Sequence, residues 1–143
     1  MKKIIGIFIA VAVVILSLFY GYFTYTKNNN SILKQNAEYE RYLNQEIYGA
    51  DLATVMNKVI DNNETNAIDK DNKGKYIENN INSIKMDIKI IDNDTVYDVE
   101  TIQRGGIENF VKNFNTVKFK CTNIQYHENT KKIKYLLFEQ ITK

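Results

Sequence analysis

Residues 50–90 read ADLATVMNKVIDNNETNAIDKDNKGKYIENNINSIKMDIKI, and the hydrophobic period changes inside them. At the start, Leu52, Val55, Met56, Val59 and Ile60 fall at i, i+3, i+4, i+7 and i+8, which is the apolar stripe of an amphipathic helix. Asp51, Thr54, Asn57, Lys58 and Asp61 take the opposite face. That face, with Lys58 alone, lacks the Lys and Arg richness of a lipid-surface helix, so the stripe is expected to pack on a core. At the far end, Ile84, Met86, Ile88 and Ile90 alternate with Lys85, Asp87 and Lys89, the pattern of a half-buried strand. Asn62 to Asn82, rich in Asn, Asp and Gly, read as loop between the two. A period-3.6 segment followed by period-2 segments predicts an α+β fold.

Toward the C-terminus, Asp92-Asn93-Asp94 predicts a turn, and Thr95 to Ile102 a second strand with Tyr97 and Val99 on one face. Together these make a β-hairpin. Gly105-Gly106 then precede Ile107, Phe110, Val111 and Phe114, a short second amphipathic helix. Thr116 to Tyr126 and Lys132 to Gln140 form the last two strands, turned through His127 to Lys131. Placing Tyr126 opposite Ile133 sets Cys121 against Phe138 and Phe119 against Gln140 on one face, and Ile124 against Tyr135 on the other. Apolar residues then stand on both faces, which predicts a sheet covered from both sides by the two helices. The expected architecture is an N-terminal transmembrane helix, an amphipathic helix, then a β-β-α-β-β antiparallel sheet.

Toward the N-terminus, Ile4 to Phe23 reads IIGIFIAVAVVILSLFYGYF, inside an uncharged run bounded by Lys3 and Lys27. As a helix this run covers about 30 Å, the hydrocarbon thickness of a bilayer. Its exit is bulky and aromatic (Phe19, Tyr20, Tyr22, Phe23, Tyr25), unlike the small residues of a cleavage site and suited to the headgroup level. An uncleaved signal anchor is expected. Met1, Lys2 and Lys3 place three positive groups on the short side, so the N-terminus is expected in the cytoplasm and the C-terminal region outside it. SILKQNAEYERYLNQEIY continues with near-helical apolar spacing, and Gly49 marks a kink or restart. The expected organisation is 1–27 cytoplasmic stub and transmembrane signal anchor, 28–48 linker or helical stalk, and 49–143 extracytoplasmic domain, with the bilayer contacted through residues 4–23.

Composition narrows the function. The chain of 143 residues has no Pro or Trp, one Cys and one His, which excludes proline-rich and disulfide-scaffold classes. Nineteen basic residues against 17 acidic leave no overall basic footprint for nucleic acid. The 19 Asn are taken as compositional bias. Cys121 sits in a strand pattern and reads as a small buried hydrophobe. His127, six residues on, would lie about 20 Å away along one strand, too far for a Cys-His pair. Asp69 to Gly74, DKDNKG, resembles the start of a calcium loop, but Lys73 and Asn80 stand where a ligand oxygen and a bidentate Glu are needed. With no metal set, nucleotide fingerprint or catalytic constellation, the domain is read as non-enzymatic and without a cofactor.

One charged feature points outward. Lys118 and Lys120 share one strand face, as do Lys132 and Lys134 on the partner strand, and like charges facing one another are destabilising. Either Asp98 and Glu100 lie across the sheet from them, or the four form a face for an anionic partner: lipid headgroups, an anionic envelope polymer or an acidic protein.

An apolar N-terminal helix continuing into a sheet domain, with Lys2, Lys3 and Gly6 as a short basic leader, resembles the type IV pilin and pseudopilin family. Val11 stands where that family has Glu. The resemblance implies cleavage after Gly6 and packing of the apolar helices in a filament or pseudopilus. The sequence thus supports a single-pass protein presenting a small interaction domain, with a pilin-like subunit as the alternative.

Overall fold

The structure, a computed structural model, describes residues 2–91 and 94–141. Met1, counted above among the positive groups, and Asp92 and Asn93 of the expected turn lie outside the described residues. The chain forms two compact units, residues 1–35 and 36–143.

Helix α1 (Lys2–Glu40) supplies the first unit. Its large apolar side chains from Ile4 to Tyr25 are all exposed, between 47% and 74%, and its mean hydropathy reaches 2.7 over its most apolar stretch. It is long and apolar enough to cross a membrane.

The second unit begins at Asn36, within residues expected as a stalk. The last turn of α1 brings Tyr39 into the core, 3% exposed. Strand β1 (Glu46–Tyr48) follows, then helix α2 (Gly49–Thr65), strands β2 (Lys85–Ile90) and β3 (Thr95–Asp98), helices α3 (Val99–Gly105) and α4 (Ile107–Phe114), and strands β4 (Lys118–Tyr126) and β5 (Ile133–Gln140). Among the described residues these strands make one sheet in the order β1-β4-β5-β2-β3. The expected helix stripe is the core itself: Leu52, Val55, Met56, Val59 and Ile60 are buried against Met86, Ile88, Ile90, Phe119, Leu136 and Phe138.

Four expectations need correction. The sheet is mixed, because β5 lies beside β2 and runs parallel to it. Alternation sets which face a residue takes, not which strand becomes its neighbour. The second strand stops at Asp98, whose Oδ1 accepts the Thr101 amide at 2.7 Å and caps α3, with Glu100 in the first turn. This local cap overrides the strand pattern of Val99 to Ile102. The three-residue β1 is too short to show a period, yet it pairs with β4 antiparallel. Finally, α2 and α4 pack against each other and share one core with the inner side chains of the sheet; they do not cover opposite faces.

The reason for the last correction is register. Tyr126 faces Ile133, Cys121 faces Phe138 and Phe119 faces Gln140 as expected, but irregularities between Cys121 and Asn123 and between Gln125 and Tyr126 shift the middle of the ladder, so Ile124 faces Leu136. The extra residues, Thr122 in β4 and Lys134 in β5, are bulges. Each resets the alternation, and Ile124 and Leu136 join the core that holds Cys121 and Phe138.

Candidate functional site

The register divides the four lysines. Lys120 faces Glu139 in β5 and Glu46 in β1, and Lys118 donates to Glu46 Oε2 at 3.0 Å. Lys134 is the bulge residue five positions before Glu139, which along β5 is about 17 Å away. There it pairs with Glu78 at 2.9 Å. Lys132 stands beyond it at the β4–β5 turn. The structure therefore brings together Lys118 with Lys120, and Lys132 with Lys134, at opposite ends of the hairpin. Of the two acids expected beside them, Glu100 lines a small cleft together with Lys134 and Glu78, whereas Asp98 is engaged elsewhere. Strand β3 is the far edge of the sheet, Asp98 pairs with Lys75 at 2.5 Å, and Glu100 Oε1 accepts the Tyr76 amide at 3.2 Å. The acids that do meet the lysines include Glu46 of β1, Glu139 of β5 and Glu78 of the loop before β2; only the tertiary structure identifies Glu46 and Glu78.

Two hollows border this framework. An apolar groove of about 420 Å³ opens between α3 and α4, lined by Tyr97, Ile102, Phe110 and Phe114 with Asn109 and Asn113 on its rim. It exists because the two helices meet at Gly105 and Gly106, where Gly106 takes φ +87°, a conformation that favours glycine. A polar cleft of about 260 Å³ is lined by Glu78, Lys85, Gln125, Lys134 and Tyr135. Two of these residues are held by Asp87, which pairs with Lys85 at 3.2 Å and accepts from the Tyr135 hydroxyl at 3.0 Å. Burial, together with Asp87, pushes the Tyr135 phenol up to about 12, so it remains a donor and not a base.

The other singled-out residues have structural partners. Cys121 is buried, and burial pushes its thiol up to about 11, away from the thiolate that nucleophilic chemistry needs. His127 is 1% exposed, and its Nε2 donates to the Ser83 carbonyl at 2.8 Å. In the DKDNKG loop, Asp71 Oδ1 accepts from the Lys73 and Lys75 amides at 2.8 and 2.9 Å, so this carboxylate closes its own turn. Among the described residues, no three His, Cys, Asp or Glu side chains gather as a metal ion requires.

Buried asparagines were not legible as such. Asn63 exchanges two hydrogen bonds of 2.8 Å with the backbone of Ile84, and Asn36 does the same with Lys131 and Ile133 at 2.8 and 3.1 Å. Each side-chain amide substitutes for a strand neighbour. The chain matches no protein-family model, no curated protein and no solved structure.

Proposed function

We propose that the chain is a single-pass membrane protein, N-terminus in the cytoplasm, that presents a small non-enzymatic interaction domain outside the cytoplasm. The observation that carries this reading is the uncharged run from Ile4 to Phe23 within α1, every side chain exposed. A helix apolar on all sides loses about 25 cal/mol for each Å² of apolar surface left in water, and a bilayer removes that cost. The aromatic residues from Phe19 to Tyr25 fit the headgroup boundary. Groove and cleft offer the domain apolar and polar surface for contacts with a protein or an anionic envelope component.

Membranes extracted with alkaline carbonate should retain the full chain, and protease added to intact spheroplasts should digest the domain and spare the span. Release by carbonate, or digestion only after lysis, overturns the reading. Mass spectrometry of the retained protein separates it from the pilin-like alternative, in which cleavage after Gly6 leaves Ile7 first.

A further inference from the structure

The two ends of the domain expose different chemistry. Because β2 and β5 run parallel, Lys85 and Ile133 start their strands at the same end, and β4 finishes there at Tyr126. The chain also enters the domain at this end, since Asn36 holds the Lys131 carbonyl and the Ile133 amide. Turn and neighbouring loop are laced together: the Thr130 hydroxyl donates to Ile81 O at 2.6 Å, and His127 donates to Ser83 O. On this platform stand Lys131, exposed, and Lys132, partly exposed. Neither has an ion pair among the described residues, and the turn's acid is Glu128. Beside them Ile81, whose carbonyl the Thr130 hydroxyl holds, is 54% exposed.

We propose that this end of the domain docks on the anionic headgroups of the membrane that the chain itself spans, with Lys131 and Lys132 supplying the attraction and Ile81 entering the headgroup layer. The inference rests on the reading of α1 as an anchor. Ten residues separate Tyr25, last of the aromatic band, from Asn36, and whatever course the eleven Cα-to-Cα steps take they span at most about 40 Å. Tethering keeps the lysines close to the bilayer at a high effective concentration, so a weak contact suffices. Each lysine near an anionic surface adds about fivefold to the docked population, lost with screening. Lys118 and Lys120, at the other end of the hairpin and beside Glu46 and Glu139, take no part.

The test uses the full chain carrying Asn129→Cys, labelled there with an environment-sensitive fluorophore; Cys121 is buried and stays unlabelled. The protein is reconstituted into vesicles of phosphatidylcholine alone or with an equal part of phosphatidylglycerol, each with a headgroup-attached quencher. Quenching is expected with phosphatidylglycerol at low salt. It should weaken about twenty-fivefold with Lys131→Gln plus Lys132→Gln, return with Arg at both positions, and disappear near 1 M salt, where the Debye length is about 3 Å. Equal quenching in both vesicles, or quenching unchanged by the Gln pair, overturns the proposal. So does a label that stays bright on vesicles but responds to purified anionic wall polymer. Flotation separates the two layers of inference: a chain that floats with an unquenched label sinks the docking alone, whereas a chain that floats with neither vesicle sinks the anchor.

Discussion

Glu100 shows how a single side chain links the loop before β2 to the helices. It is 4% exposed in the first turn of α3, and its carboxylate holds the Tyr76 amide. Burial, reinforced by Asp98, raises its pKa above the ordinary glutamate value, against the smaller pull of backbone amides and Lys75. The folded chain therefore keeps a proton that the unfolded chain has released. The linked stability is complete below the ordinary glutamate pKa and is lost as pH rises through the folded value. Glu100→Gln retains an oxygen for the Tyr76 amide and carries no charge. The variant should match the parent near pH 4 and become the more stable of the two toward pH 7, as read by urea denaturation at both pH values. A stability difference that does not grow with pH would refute this account.

At the scale of elements, the start of α2 depends on one close approach. Gly49 donates its amide to Val117 O at 3.0 Å, and a Cβ there would collide with the carbonyl of Phe114 at the end of α4. Glycine at this point is thus a packing requirement between α2 and α4, beyond the break in helix that the sequence suggests. Gly49→Ala would gain up to about 1 kcal/mol in helix propensity and lose more by forcing α4 outward, since overpacking costs about 1–3 kcal/mol. A net loss on the order of 1 kcal/mol is expected, visible as a lower urea midpoint with an unchanged slope. An unchanged or raised midpoint would show that the helices separate freely at this point. The two bulges belong to the same scale: each is one residue, and each redirects the side chains that follow it.

At the scale of the whole molecule, the folded unit starts at Asn36, so a fragment of residues 36–143 should unfold cooperatively. A fragment of residues 49–143 loses the Asn36 bonds, the burial of Tyr39, the edge-on contact of Tyr42 with Phe138 at 6.5 Å and the pairing of β1. Loss of one large buried aromatic costs about 3–5 kcal/mol, so this fragment should be less stable by at least that much in a denaturant melt. Equal midpoints would place the domain boundary at Gly49. The sequence alone determined the apolar span, the stripe of α2, the short helix α4 and the β4–β5 pairing at Cys121 and Phe138, because each is a periodicity or a pairing local to the chain. The tertiary structure decided that β5 lies parallel to β2, that bulges turn Ile124 inward, that Asn36 and Asn63 serve as backbone partners, and that the lysines separate into two pairs beside Glu46 and Glu78. Those features depend on which distant segments become neighbours, and hydrophobic patterning specifies that a face is buried without specifying what buries it.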